Sequence, residues 1–167
     1  MTWTGAPTIY YGDEAGLCGF TDPDNRRTYP WGEEDKEMIR FHKEMIRIHK
    51  ACPELMKGSI KELYAENNVI VYGRFNRTAA VIVAINNNGF EVTKDIQVWP
   101  LGIPRDVKLR QLIVTDGTGF DTTITTKTVT DGVLSLTMSR NTGYVLRYNS
   151  FAAVSDEEFW SDNVIEF

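Results

Sequence analysis

The stretch Val69-Ile70-Val71-Tyr72-Gly73-Arg74-Phe75 decides the fold class, together with Ala79-Ala80-Val81-Ile82-Val83-Ala84-Ile85-Asn86 just beyond it. Both runs are short, rich in β-branched residues and bounded by turn formers, so they predict strands. Asn86-Asn87-Asn88-Gly89 predicts a tight hairpin turn into a third strand, Phe90–Trp99. In that strand Phe90, Val92, Lys94, Ile96 and Val98 share a largely apolar face. Further strands are predicted at Val107–Thr115, Asp121–Thr128, Val133–Met138 and Gly143–Tyr148. Near-regular spacing, with Gly, Asn and Asp turns and no helical stretch between strands, argues for an antiparallel β-sandwich over residues 59–150. It argues against a parallel sheet there.

Upstream the period changes. Met38, Phe41, Met45, Ile48 and Cys52 form one apolar stripe at helical spacing, which predicts a helix over Glu33–Cys52. Glu33, Glu34 and Asp35 fall in its first turn and Lys50 in its last, matching the helix macrodipole, and Pro53 ends it. Thr8-Ile9-Tyr10-Tyr11 is a short apolar run without alternation, so it predicts a strand buried on both sides, as in a parallel sheet. Between that run and the helix lies a Gly- and Pro-rich loop carrying Asp22-Pro23-Asp24-Asn25-Arg26-Arg27. So many loop residues in a row inside a compact domain usually mean a functional loop or disorder. The chain divides into residues 1–58, a sandwich over 59–150 and an acidic tail over 151–167.

The 167 residues are 42% hydrophobic and 25% charged, so the chain can bury a core. No apolar run approaches the length of a transmembrane helix, and no membrane partner is expected. Lys and Arg number 18 against 23 Asp and Glu, a net charge of -5, which argues against nucleic acid. Met1-Thr2-Trp3-Thr4-Gly5 is not a signal peptide, so a cytoplasmic location is favoured. Cys18 and Cys52 make neither a disulfide framework nor a zinc site, and no metal or cofactor is expected.

Few residues invite chemistry. Asp13 and Glu14 directly follow the apolar run, but sequence neighbours on an extended chain diverge and cannot face each other across a substrate. A loop cap paired with Arg26 or Arg27 is the simpler expectation. Asp22 and Asp24 could open a calcium loop, yet Arg26 occupies a ligand position and no glycine follows. Paired instead, a carboxylate and a guanidinium offer acceptors and donors to the hydroxyls of a sugar, with Tyr29 and Trp31 as flat faces for its ring. His42 and His49 lie seven residues apart, the wrong spacing for a helical metal site, and read as packing residues. Cys18 has no base placed to activate it.

The string Gly5-Ala6-Pro7-Thr8-Ile9-Tyr10-Tyr11-Gly12-Asp13-Glu14-Ala15-Gly16-Leu17 resembles the last barrel strand of the α-amylase family, glycoside hydrolase family 13. Asp22–Arg27 followed by Tyr29-Pro30-Trp31 is similar to the neopullulanase, cyclomaltodextrinase and maltogenic amylase branch. The resemblance implies a mostly β chain: an antiparallel β-sandwich (amylase domain C) preceded by the last strand and helix of a (β/α)8 barrel. It also implies an α-glucan or maltooligosaccharide as ligand of a longer parent, with Asp22 and Arg26 contacting a glucose unit. The family cleaves α-glucosidic bonds with retention, using three acidic residues after the fourth, fifth and seventh barrel strands. The similarity begins at the eighth strand, so no catalytic residue carries over and this chain alone is expected to hydrolyse nothing. It reads as the C-terminal part of a longer enzyme or as a truncated frame.

Exposed barrel surface would favour self-association. A different reading is a free-standing carbohydrate- or protein-binding sandwich, which would need exposed aromatics. The candidates are Tyr64, Tyr72, Phe75, Trp99, Phe120 and Tyr148.

Overall fold

A computed structural model describes residues 1–149, and the acidic tail lies outside the described residues. Two helices, α1 (Lys36–Ala51) and α2 (Pro53–Lys57), precede nine strands. These are β1 (Ser59–Glu66), β2 (Val69–Phe75), β3 (Ala79–Asn86), β4 (Val92–Gln97), β5 (Val107–Thr115), β6 (Phe120–Asp121), β7 (Thr126–Val129), β8 (Val133–Met138) and β9 (Thr142–Asn149). The larger sheet runs β1-β2-β3-β9-β5-β6, with β7 also on β5, and the smaller is β4-β8. Every pairing is antiparallel.

The side-chain period of two explains the layers. On β3, Ala80, Ile82 and Ala84 point between the two sheets, where they meet Ile96, Leu134, Leu136 and Met138. Val81 and Val83 point the other way and are covered by Ile48, Cys52 and Leu55 of the helices. Burial on both faces is why β3 reads as a continuous apolar run, a pattern otherwise typical of parallel sheets. The Cys52 end of the helical stripe is thus buried on the sheet, while Met38 at the other end is 38% exposed.

Several sequence expectations need correction. Residues Asn86–Gly89 do not make a hairpin, because β4 leaves β3 and pairs with β8 in the opposite sheet. The buried Asn86 carboxamide holds that crossing: its Nδ2 donates to the carbonyls of Phe90 (2.9 Å), Met138 (3.2 Å) and Ser139 (2.8 Å). The strand expected over Asp121–Thr128 is two short strands, β6 and β7, both on β5. The helix starts at Lys36 rather than Glu33, because Asp35 is its N-cap and accepts from the Met38 N–H at 2.9 Å. Pro53 ends α1 and also opens α2, where its missing N–H costs nothing. Thr8–Tyr11 is not a strand: no described strand accepts its backbone groups, and Ile9, Tyr10 and Tyr11 are exposed.

Candidate functional site

The loop between Gly12 and Trp31 is seated on the start of α1. Gly12 and Gly16 both take left-handed backbone, which turns the chain through the single 3-10 turn Asp13–Ala15. Ala15 is buried, and its carbonyl accepts from the Asp35 N–H at 3.0 Å. A Cβ at Gly16 would stand 3.1 Å from the Asp35 Cβ, so the loop lies close against the helix cap. One residue therefore starts the helix and anchors the loop.

Two ion pairs stand beyond this anchor, following a cis Asp22–Pro23 bond. Arg26 Nη2 reaches the two Asp22 carboxylate oxygens at 2.7 and 2.8 Å. Arg27 grips Asp24 differently, with Nε and Nη2 each donating to one oxygen at 2.8 Å. Among the described residues the Arg26 side chain bonds only Asp22, through Nη2, so its Nε and Nη1 donors remain available to a ligand. Arg27 spends its fork on Asp24. The Arg26 and Asp22 side chains are 51% and 65% exposed, and exposed pairs of this kind contribute about 0–1 kcal/mol. Stability alone thus gives little reason for the pair.

The arginines pair with Asp22 and Asp24 and not, as expected, with Asp13 or Glu14. Asp13 instead reaches back and accepts from the Tyr10 N–H at 3.2 Å. A cavity of about 160 Å³ opens beside the pairs, lined by Tyr10, Tyr11, Cys18, Asp24, Asn25 and Arg27. The Asn25 Oδ1 is buried there without a hydrogen-bond partner among the described residues. Tyr29 and Trp31 pack at 4.6 Å between ring centroids, and Trp31 is exposed. His42 and His49 bond the carbonyls of Met38 (2.9 Å) and Met1 (2.7 Å). No group of metal-ligating side chains forms among the described residues.

A buried clamp joins the N-terminal segment to the sandwich, and sequence reasoning missed it. Arg74 is 2% exposed and meets four carbonyl oxygens: Thr2 (3.2 Å), Trp3 (2.9 Å), Gly58 (3.0 Å) and Ser59 (3.4 Å). Burial lowers its pKa from the ordinary arginine value. The Tyr72 hydroxyl lies 2.7 Å from Thr2 Oγ1, and Trp3 packs edge-on against the Tyr72 ring. The available signal was a charged residue inside an otherwise apolar strand.

Of the six aromatic candidates, Tyr72 and Phe75 are core residues, and Trp99 is exposed.

Comparison with known proteins places this geometry. The family model described as alpha amylase, C-terminal all-beta domain, matches residues 61–149, more than half of the chain. The amylopullulanase of Thermoanaerobacter thermohydrosulfuricus is 46% identical over 74 residues, 44% of this chain and 5% of that protein. Neopullulanase 2 of Thermoactinomyces vulgaris is 39% identical over 103 residues, 59% of this chain and 17% of that protein. The chain therefore spans only a small part of the curated relatives it matches. The debranching enzyme from Nostoc punctiforme superposes with a TM-score of 0.67 at 31% identity, over 87% of this chain and 28% of that one. The alpha-amylase from Geobacillus thermoleovorans complexed with acarbose gives 0.75 at 24% identity, over 90% of this chain and 31% of that one, a likeness of fold.

Proposed function

We propose that this chain, which belongs to the alpha-amylase C-terminal all-beta domain family, is the C-terminal part of an α-glucan-acting glycoside hydrolase. Residues 1–58 are read as the end of its catalytic barrel and residues 59–149 as the sandwich that steadies it. Relatives named amylopullulanase, cyclomaltodextrinase and neopullulanase support an α-glucan or maltooligosaccharide ligand. Retaining hydrolysis needs two carboxyl groups about 5 Å apart across the scissile bond. Asp13 bonds back to Tyr10, and Asp22 and Asp24 hold arginines, which supports reading the chain alone as non-hydrolytic.

The observation that carries this reading is the Asp22–Arg26 pair, exposed and held with spare guanidinium donors on a loop fixed to α1. Asp22 would accept from one sugar hydroxyl while Arg26 donates to its neighbour, an arrangement that orients a glucose unit without acting on its bond.

The deciding experiment has two stages. The intact mass of the protein made by its native host should exceed 19.0 kDa by a barrel's worth of chain, about 250 residues. A mass of 19.0 kDa would overturn the reading. In the longer product, Arg26→Ala should raise KM for maltooligosaccharides about tenfold or more, as loss of a charge-assisted hydrogen bond does. Unchanged KM would remove Arg26 from the substrate contacts.

Self-association belongs to the same reading. Ile9, Tyr10, Tyr11, Phe20, Trp31 and Met38 are exposed apolar side chains on residues 1–58. Such a surface associates unless something covers it. Light scattering on the 167-residue chain should give a dimer or larger, and a monomer at high concentration would refute this.

A further inference from the structure

We propose that Trp99, with the two polar loops beside it, is a separate oligosaccharide contact on the sandwich. The choice of a glucan ligand rests on the reading above, whereas the site shares no residue with the Asp22–Arg26 loop.

The indole is 56% exposed, yet the turn carrying it is rigid. Trp99–Leu101 forms a 3-10 turn containing Pro100 and closed by Gly102, whose N–H donates to the Trp99 carbonyl at 3.0 Å. Val98, Leu101 and Ile103 around it are buried. The ring itself is pinned, because its Nε1–H donates to Gln97 Oε1 at 3.2 Å. Gly132 lies against the ring, since a Cβ there would stand 3.6 Å from Trp99 Cδ1. An aromatic face left to water on so fixed a support gains by stacking on something flat and apolar.

The rim supplies the polar half. Gly132 donates to the Arg105 carbonyl at 2.8 Å, and its own carbonyl accepts from Val98 at 3.0 Å, so the three segments are tied together. Beside Gly132, Asp131 pairs with Arg105 at 3.2 Å, with side chains 79% and 78% exposed. Asp106 Oδ1 accepts from the Asp131 N–H at 3.1 Å, fixing the loop. Gln97 and the Arg105–Asp131 pair thus supply a carboxamide, a guanidinium and a carboxylate on segments tied to the Trp99 turn, a set that matches a pyranose ring. The ring's C–H face stacks on the indole, and its vicinal hydroxyls meet paired donors and acceptors.

The test is a titration of the 167-residue chain with maltoheptaose, followed by the NMR signal of the Trp99 indole N–H and by calorimetry. The expected result is a saturable shift of that signal, with affinity falling at least tenfold in Trp99→Ala and about threefold or more in Arg105→Ala. Both variants should stay folded, with Arg105→Ala at the wild-type melting temperature and Trp99→Ala only slightly below it, because the side chains are largely exposed. The double change Asp22→Asn with Arg26→Ala should leave the Trp99 shift intact. No indole shift at millimolar maltoheptaose overturns the proposal. Binding lost in the Asp22, Arg26 double variant but kept in Trp99→Ala also overturns it, while leaving the loop reading standing.

Discussion

Glu54 and Arg147 form a two-pronged ion pair that fastens α2 to β9, Nε to Oε1 at 2.6 Å and Nη2 to Oε2 at 3.2 Å. Glu54 is fully buried and the Arg147 side chain is 21% exposed. The pair lies where the helices meet the sandwich, next to the Ile48, Cys52 and Leu55 cluster. It fixes where α1 sits, and therefore where the loop seated on the Asp35 cap is presented.

Removing one partner leaves a buried charge uncompensated, which typically costs about 3–5 kcal/mol. Arg147→Met alone should lower unfolding stability by that amount in urea titration. Pairing it with Glu54→Leu should recover much of the loss, because an apolar pair of similar volume carries no desolvation penalty.

Arg74 makes a different prediction, since its partners are backbone carbonyls. Arg74→Met should free residues 1–3 with a smaller change in the sandwich. Hydrogen exchange should speed up at the N-terminal amides while β3 and β9 stay protected. Equal loosening of both would mean the clamp also supports the sheet.

Ile48 is fully enclosed, as is Cys52 at the end of the helical stripe. Ile48→Ala should cost about 2–5 kcal/mol through lost burial and a cavity. Met38→Ala, at the exposed end, should cost under about 1 kcal/mol. Chemical denaturation of the two variants separates them.

Gly73 packs face to face with Leu101, and a Cβ there would overlap its Cδ1 and Cδ2. Gly73→Ala should therefore destabilise by about 1–3 kcal/mol. Gly89, with nothing among the described residues within 4 Å, should accept alanine with no measurable shift in the urea midpoint.

The two thiols should behave oppositely. Cys18 is exposed, whereas burial pushes the Cys52 thiol up to about 11. Iodoacetamide at pH 8 should modify Cys18 quickly and Cys52 only as the fold opens. The folded chain holds the Cys52 proton above the pH where the unfolded chain releases it. Stability is therefore intact below about pH 9 and falls between 9 and 11. Tyr72, also raised by burial, adds to the same alkaline loss. Melting temperatures from pH 7 to 11 should show the decline, with a shallower slope in Cys52→Ala.

The sequence by itself determined the strands β2, β3, β5 and β8 and the body of α1, because these depend on local periodicity, branching and turn residues. It placed four acids within reach of Arg26 and Arg27 without choosing among them, and the folded loop gives Asp22 to Arg26 and Asp24 to Arg27. Tertiary structure alone decided which strands meet. The Asn-rich turn looked like a hairpin, and only the buried Asn86 carboxamide, bonded to carbonyls more than 50 residues away, sends β4 to the other sheet. The same holds for Arg74 and for Glu54 with Arg147, whose partners lie 72 and 93 residues apart in the chain. Local patterns set which faces are apolar. They carry no information on which distant polar group will be buried against them, because that depends on desolvation that exists only once the layers have packed.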